Sequence, residues 1–419
     1  MTERIFSRAL GREVSAGEYV MASPDLLMVH DGNRPIVTDV LAELDFDRPR
    51  YPERMAVVLD HGVPTPNAAY ANVQKRLRTF AARHNVRLFE QGDGISHLVA
   101  CESGLVRPGS IVIASDSHTT TSGAMNALAT GVGATDLAVA LGTGELWFRV
   151  PQAIRVDLVG SLPDDCSARD IALRLLQRYG TGFARYQAIE FSGPGLATLS
   201  MDARFTLSNK GIELGAKFAV MPFDQVMAAY CEERKVPTDR AVTIDPEARY
   251  ARTVTVDLDD LGPLVARPHN PSNVVDVHEA RGVRVDVGFI GTCTNGRLED
   301  LRAAAQQLRG KRLAEGRRLI VVPASREVYA QALSEGLIAE FIRVGAQVSA
   351  SGCGPCAGVQ GGVPADAEAI VTTAPRNFRG RMGNPNAEVY LASPATVAAS
   401  LVEGHLAQPK RDATGQLPS

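Results

Sequence analysis

The chain alternates short apolar runs, often rich in β-branched residues, with polar loops and helical stretches. A continuous apolar run of this kind predicts a strand that is buried in a parallel sheet. A helix is predicted from Arg297, and another from Ser393, where Ser-Pro supplies an N-cap and a proline for the first helical position. The alternation predicts an α/β fold. The predicted strands are 55–59, 111–114, 285–290, 319–322, 369–372 and 389–392.

Polar residues gather after four of these strands. Asp60-His61 follows the first, and 116–118 (Asp-Ser-His) follow the second. Residues 292–295 (Thr-Cys-Thr-Asn) follow the third, and 376–381 (Arg-Asn-Phe-Arg-Gly-Arg) come shortly after the fifth. Ligands of open α/β sheets bind outside the carboxyl ends of the strands. We therefore expect one composite site that is assembled from distant parts of the chain.

The length of the chain indicates several domains. It has 419 residues, whereas a single hydrophobic core stops growing at about 250 to 300 residues. A change of pattern near Pro151 and a proline-rich segment at 267–271 mark two boundaries. We expect three domains, at 1–153, 154–278 and 279–407, followed by a tail at 408–419.

Charge and hydropathy exclude two classes of partner. The 44 Lys and Arg against 47 Asp and Glu leave a net charge of −3, without the excess of one sign that is typical of proteins that bind nucleic acids or anionic membranes. The N-terminal segment has no uninterrupted apolar run that could serve as a secretory signal. The uncharged stretch at 117–135 is too rich in Ser, Thr and Gly to span a bilayer. We expect a cytoplasmic protein that binds small molecules or other proteins.

Three of the six cysteines lie in glycine-rich loops: Cys293 in GTCTN, and Cys353 with Cys356 as a C-x-x-C pair in SGCGPCAG. A long chain in a reducing compartment does not need a disulfide framework. A C-x-x-C pair alone fits a redox site, half of a zinc site or part of an iron–sulfur site. Three cysteine ligands suit a 4Fe-4S cluster whose fourth iron has no protein ligand. The remaining cysteines are interpreted as small core residues; they are Cys101, Cys166 and Cys231.

Nine motifs follow one another along nearly the whole chain. They are SPDLLMVHDG at 23, DHGVP at 60, GISH at 94, PGSIVIASDSHT at 108, SNKGIELGA at 208, GTCTN at 291, SGCGPCAG at 351, RNFRGRMG at 376 and AEVYLASPATVAAS at 387. In this order they resemble the aconitase superfamily, and within it the large subunits of 3-isopropylmalate dehydratases and the related homoaconitases. The resemblance implies an aconitase-like three-domain α/β/α architecture around a shared cluster-binding cleft.

By this resemblance Cys293, Cys353 and Cys356 hold one 4Fe-4S cluster per chain, and the reaction is the reversible dehydration of a hydroxy carboxylic acid. We expect the interconversion of 2- and 3-isopropylmalate in leucine biosynthesis. Homoaconitate, 2-methylmalate and 2,3-dimethylmalate are alternative substrates. Rivals from another class are an iron-responsive RNA-binding protein and a zinc protein that uses the same three thiols.

Dehydration needs a Lewis acid and a proton donor at the departing hydroxyl, and a base at the neighbouring carbon. Histidine beside a carboxylate suits proton transfer, and a guanidinium matches a carboxylate with two hydrogen bonds. The matching positions of the family imply catalytic roles for Asp60, His61, His97, Asp116, His118 and Glu213. They also imply substrate contacts for Ser117, Arg376 and Arg381, and they place Asn209 and Asn295 in the environment of the cluster.

Three residues depart from the pattern of the family: Pro375 replaces an asparagine, Lys210 a methionine and Leu98 a glutamine. None is an implied ligand of the cluster, so the departures bear on the substrate. His30, in the sequence HDG, stands between a structural and a catalytic role. Single-chain members of the family carry a further domain with a serine base. The resemblance therefore implies a separate small subunit, in a heterodimer or heterotetramer.

Overall fold

The structure is a computed structural model that describes residues 1–33 and 36–410, so most of the predicted tail lies outside the described residues. The chain divides into two compact units. Unit 1 comprises Met1–Gln91, Ser96–Leu158 and Ala184–Val256, and unit 2 comprises Gly92–Ile95, Val159–Phe183 and the chain from 257 onward. The three-domain division stays a prediction. Among the described residues, no helix is long and apolar enough to cross a membrane.

Helices and strands alternate along the chain, and all six predicted strands are present within two residues of their expected bounds. The helices are α1 (Thr2–Leu10), α2 (Val37–Glu43), α3 (Ala68–His84), α4 (Ser96–Glu102), α5 (Ala134–Thr143), α6 (Ala168–Tyr179), α7 (Met201–Lys210), α8 (Gln225–Glu233), α9 (Leu298–Leu308), α10 (Arg326–Ser334), α11 (Leu337–Arg343) and α12 (Pro394–Glu403). The strands are β1 (Tyr19–Ala22), β2 (Leu26–His30), β3 (Met55–Val58), β4 (Arg87–Phe89), β5 (Ile111–Ala114), β6 (Leu128–Gly131), β7 (Leu146–Arg149), β8 (Ala153–Val159), β9 (Ala188–Ser192), β10 (Phe218–Val220), β11 (Arg252–Asp257), β12 (Leu264–Ala266), β13 (Val274–Asp276), β14 (Val287–Ile290), β15 (Arg318–Val321), β16 (Gln347–Val348), β17 (Ala369–Thr372) and β18 (Glu388–Ala392).

Unit 1 is built on a five-stranded sheet in the order β4-β3-β2-β5-β6, in which every neighbouring pair is parallel. Strands β2, β3 and β5 are buried from end to end, which explains their continuous apolar runs. One apolar core contains Val29 of β2, Val57 of β3, Ile113 of β5 and Leu137 of α5. A four-stranded sheet in the order β10-β9-β8-β11 and the antiparallel pair β1–β7 complete the unit.

Unit 2 is built on a seven-stranded sheet in the order β13-β12-β18-β17-β14-β15-β16. The strands from β18 to β16 are parallel, whereas β12 runs antiparallel to both of its neighbours. Helix α12 packs on β14 and on α9. It begins as predicted, because Ser393 accepts a hydrogen bond from the backbone N–H of Thr396 and Pro394 is the first helical residue. The α/β prediction is confirmed in both units.

Candidate functional site

The six residues implied to be catalytic lie together in unit 1, and we call them the histidine–carboxylate cluster (Asp60, His61, His97, Asp116, His118 and Glu213). Asp60-His61 follows β3, and Asp116 and His118 follow β5. Because β3 and β5 both lie beside β2 in a parallel sheet, their carboxyl ends reach the same edge. His97 comes from α4, and Glu213 comes from the turn after α7.

His61 lies between two carboxylates. Its Nδ1 is 2.7 Å from Oδ1 of Asp60, and its Nε2 is 3.6 Å from Oδ2 of Asp116. Nε2 of His97 is 3.0 Å from the other oxygen of Asp116. In the neutral ring of His61, Nδ1 donates to Asp60, which leaves Nε2 as the nitrogen without a proton.

The third imidazole of the cluster, that of His118, bonds to Glu213. The distance from Nε2 to Oε1 is 2.9 Å, and both side chains are buried. The backbone N–H of His118 donates to Oδ1 of Asp116 at 2.6 Å. Lys210, the last residue of α7, places Nζ 3.3 Å from Oε2 of Glu213. Hydrogen bonds and ion pairs thus run without interruption through the histidine–carboxylate cluster to a buried lysine.

The aspartates of the cluster are held in the charged form. Burial alone would raise the pKa of Asp60, but the charge of His61 and its hydrogen bond lower that pKa to about 2. Burial also opposes the ionisation of Asp116, yet hydrogen bonds from His118, His61 and His97 hold its pKa well below the usual range. Both aspartates are therefore anionic acceptors at neutral pH, and the imidazoles are the groups that can move protons.

Asp31, directly after β2, belongs to this site although the sequence did not single it out. Its Oδ1 accepts hydrogen bonds from the backbone N–H groups of Asp60 at 3.2 Å and His61 at 2.9 Å. Its Oδ2 accepts from the backbone N–H of Gly62 at 3.1 Å and from the Gln74 amide at 2.8 Å. The buried carboxylate therefore holds the loop that carries two catalytic candidates. The available signal was an acidic residue shortly after the apolar run 26–29 (Leu-Leu-Met-Val), which was not among the predicted strands.

His30, the last residue of β2, stacks on His61, with ring centroids 4.3 Å apart and planes inclined by 16°. Burial, and the charge of His61 when that ring is protonated, lower the pKa of His30, which favours the neutral form of the His30 imidazole. Ligand atoms of His30, Asp60 and His61 lie within 4.8 Å of one another. Because stacked rings direct their lone pairs along nearly parallel planes, the two imidazoles cannot converge on one ion in this arrangement, and we assign no metal site here.

The remaining site residues of unit 1 lie on the 3-10 helix Ser117–Met125 and on α7. Ser117 begins the 3-10 helix and is partly exposed. Asn209 is buried, and its side-chain amide donates to Oγ1 of Thr121 at 2.9 Å. Asn209 thus fastens α7 to the helix that carries His118.

The three cysteines implied to bind the cluster lie in unit 2, on two segments that we call the thiol loops (291–295 and 351–358). Cys293 follows β14, and Cys353 and Cys356 follow β16, two strands away in the same parallel sheet. Cys356 is buried, and the other two are partly exposed. In the described part of the chain, the cysteines form no disulfide.

Both thiol loops pack on Phe289 and Val322. A Cβ on Gly291 would lie 2.9 Å from the Phe289 ring and 2.9 Å from the carbonyl oxygen of Val322. A Cβ on Gly354 would lie 3.0 Å from side-chain atoms of the same two residues. Glycine at both positions therefore lets the two loops approach one pair of residues closely. The sequence motifs GTCTN and SGCGPCAG are neighbours in space for this reason.

Two polar side chains shape the first thiol loop. Arg297, which is 1% exposed, donates to the carbonyl oxygens of Cys293 and Thr294, at 2.7 Å each. Asn295 donates from Nδ2 to Oδ1 of Asp300 at 2.8 Å. Arg297 was predicted only as a helix start; its position four residues after Cys293 gave no signal that its side chain turns back onto the loop.

Of the two arginines implied to bind substrate, Arg381 contacts a thiol: its Nη2 donates to Sγ of Cys356 at 3.3 Å. Arg376 is partly buried and follows β17, which lies beside β14. The residues present fit an iron–sulfur centre. Three thiols are the donor set of a cluster with one iron that lacks a protein ligand, and hydrogen bonds to sulfur tune such centres, whereas a structural zinc site needs four protein ligands.

The aconitase family (aconitate hydratase) matches residues 3–282 and 278–404 of the chain. The chain therefore belongs to the aconitase family, whose enzymes are iron–sulfur proteins, and it is a hydro-lyase. Among curated proteins, it is 43% identical to 3-isopropylmalate dehydratase large subunit 1 of Methanopyrus kandleri over 411 residues, 98% of each chain. It is 44% identical to the homoaconitase large subunit of Thermus thermophilus over 414 residues, 98% of this chain and 97% of that protein.

Among solved structures, the chain is similar to aconitase X of Thermococcus kodakaraensis in its holo-form, with a TM-score of 0.51 and 13% identity. The match covers 85% of this chain and 84% of the other. At this identity the similarity shows the fold alone. The family resemblance and the hydro-lyase prediction are confirmed, while the roles of individual residues stay predictions.

Proposed function

We propose that the chain is the large subunit of a two-chain hydro-lyase that interconverts 2- and 3-isopropylmalate through an enoic acid. The observation that carries the proposal is the pair of thiol loops, which place three cysteines at one edge of a parallel sheet with Arg381 bonded to Cys356. Relatives named 3-isopropylmalate dehydratase large subunit support the substrate.

Cys293, Cys353 and Cys356 would hold one 4Fe-4S cluster. When bound, this group supplies a Lewis acid that weakens the bond between carbon and the departing hydroxyl. Arg297 holds the backbone of the Cys293 loop in place, and Arg381 stabilises the anionic sulfur of Cys356. These contacts are what the chain itself contributes to cofactor binding.

The histidine–carboxylate cluster would supply the proton that turns the departing hydroxyl into water. Asp60 and Asp116 orient His61, Asp116 orients His97, and Glu213 orients His118. Because Asp60 and Asp116 stay ionised, the rings beside them can carry the proton in dehydration and take it back in hydration. Arg376 and Arg381 would bind the carboxylates of the substrate with paired hydrogen bonds.

The carbon base would come from a separate small subunit. The relatives are named large subunits, and no base for the carbon is assigned among the residues above. We therefore expect the chain alone to bind the cluster and to show almost no turnover, and activity to appear when a small subunit is added.

Homoaconitate is the second candidate substrate, because the Thermus homoaconitase large subunit is as similar to this chain as the dehydratase subunits are. Assays of the two-chain enzyme on 3-isopropylmalate and homoaconitate would separate the candidates through their kcat/KM values. A preference for homoaconitate would overturn the isopropylmalate assignment and leave the hydro-lyase class intact.

Anaerobic purification followed by iron and sulfide analysis tests the cofactor. We expect about four irons and four sulfides per chain, with broad absorbance near ~400 nm. Cys353→Ser should lose the cluster and stay folded, whereas Cys166→Ser, the matched control, should keep it. Zinc without sulfide would support the zinc protein instead, and strongly salt-dependent RNA binding would support the RNA-binding rival.

A further inference from the structure

Lys210 is a buried cation in direct contact with the histidine–carboxylate cluster. Its side chain is 1% exposed, and its Nζ lies 3.3 Å from Oε2 of Glu213. The other oxygen of Glu213 is 2.9 Å from Nε2 of His118. Lysine is almost never buried unless it is paired. Glu213 therefore contacts both the buried lysine and the imidazole of His118, so the charge of Lys210 can act on His118 through Glu213.

We propose that Lys210 is a positioning residue that neutralises Glu213 and thereby weakens the hold of His118 on its proton. The inference rests on the proposed function, because it concerns proton transfer by His118. It assigns a task to the residue that stands where the family pattern has methionine. Methionine fills a similar volume but carries no charge.

The electrostatic argument starts from the two carboxylates that face His118. Glu213 contacts Nε2, and Oδ1 of Asp116 lies 3.6 Å from Nδ1. Two uncompensated carboxylates would strongly favour the charged imidazolium. With Lys210 beside Glu213, one of these negative charges is balanced. His118 can then release its proton, as a reversible proton donor must.

The titratable side chains around His118 come from the elements that pack against it. The 3-10 helix that begins at Ser117 packs against α4, α7, β5, β6 and β10, and these three strands carry no titratable side chain. On α7, Arg204 forms its ion pair with Asp224 at 2.6 Å. The other titratable groups on the packed helices are His97, Cys101, Glu102 and Asp202. His97 bonds to Asp116, and Lys210 forms an ion pair with Glu213.

Local backbone geometry directs the lysine inward. Lys210 and Glu213 are spaced i,i+3, and Gly211 keeps the right-handed helical conformation at the end of α7, with φ of −55°. The pair therefore spans one helical turn, the spacing at which opposite charges meet. A cation in the last turn is also favoured by the helix dipole.

The direct test is a pH titration of His118 in the full chain, monitored by NMR on protein with labelled histidine. The His118 signal is assigned as the one that is missing in His118→Gln. In Lys210→Met, we expect the midpoint of His118 to rise by about one pH unit, a tenfold change in proton affinity. Lys210→Arg, which keeps the charge, should leave it unchanged, as should Lys217→Met, a matched change elsewhere in unit 1.

A second variant separates the charge effect from misfolding. In Lys210→Met with Glu213→Gln, both members of the pair are neutral and the glutamine carbonyl still accepts from His118. We expect the midpoint to return toward the wild-type value. An unshifted midpoint in Lys210→Met, or an equal shift in Lys210→Arg, would overturn the inference.

Kinetics of the two-chain holoenzyme separate this inference from the proposed function. In Lys210→Met, the part of the pH dependence of kcat that reflects the ionisation of His118 should move to higher pH, and KM should be unchanged. A shifted NMR midpoint in a chain that never dehydrates a hydroxy acid would refute the proposed function and keep the electrostatic role. An active enzyme with an unshifted NMR midpoint would refute the electrostatic role of Lys210 and keep the proposed function.

Discussion

Nη2 of Arg381 donates to Sγ of Cys356 across 3.3 Å, which places a guanidinium against one of the three thiols of unit 2. Arg379 lies in the same loop but contacts the carbonyl oxygen of Pro385, at 3.3 Å. The loop therefore offers a matched pair of arginines, one at the sulfur and one away from it.

We expect Arg381→Met to bind iron and sulfide and to lose the cluster in air about ten times faster than the wild type, since a hydrogen bond to a charged group contributes about 1.5 to 3 kcal/mol. The decay of visible absorbance under air measures this rate. Arg379→Met should decay at the wild-type rate, and equal rates for the two variants would contradict the role of the contact.

The missing side chain of Gly32 leaves room for the His61 ring. A Cβ on Gly32 would lie 2.6 Å from ring carbons of His61, a distance at which the ring must move. We expect Gly32→Ala to lower kcat of the two-chain enzyme at least about tenfold, because a displaced catalytic group loses its alignment. The far-ultraviolet circular dichroism should stay unchanged. Gly182→Ala, where nothing lies within 4 Å of the new Cβ, is the control, and a loss of similar size there would count against this explanation.

The Asp31 carboxylate holds the loop after β3 through three backbone N–H groups and the Gln74 amide. Asp31→Ala leaves these buried donors without an acceptor, so we expect a loss of about 2 to 4 kcal/mol in the free energy of unfolding. Urea denaturation measures it. Asp39→Ala removes an exposed pair with Arg76 and should cost less than about 1 kcal/mol. Similar losses in both variants would show that Asp31 is not a special anchor.

Asp170 gives unit 2 a dependence on pH. Burial raises the pKa of this carboxyl from 3.8 to about 6. Between these values the folded state binds a proton that the unfolded state does not, so the free energy of unfolding falls as the pH rises from about 4 to about 6. The shift corresponds to about 3 kcal/mol.

Asp170→Asn removes this titration. We expect the wild type to lose about 2 kcal/mol of that total relative to the variant when urea denaturation is moved from about pH 4 to about pH 7. Asp164→Asn, an exposed substitution three residues before the N-cap Ser167, should follow the wild-type curve. Parallel curves for wild type and Asp170→Asn would refute the assignment.

The sequence alone was sufficient for the α/β class and for four of the strands that carry the site, β3, β5, β14 and β17, whereas β2 and β16 were not predicted. Buried parallel strands are continuous apolar runs, and that pattern is local. The polar residues after β3, β5, β14 and β17 could therefore be predicted at the carboxyl ends of strands. The nine motifs added the family, which the family comparison confirms.

Only the tertiary structure decided which groups pair. Glu213 meets His118 across 95 residues of chain, and Asp31 reaches the Asp60 loop because β2 lies beside β3. Lys210 is buried, although a lone lysine in a sequence predicts a surface position. Partners of this kind depend on the order of strands in the sheet and on the direction of each side chain. Local periodicity carries neither, because it reports which face of an element is buried and not what lies against that face.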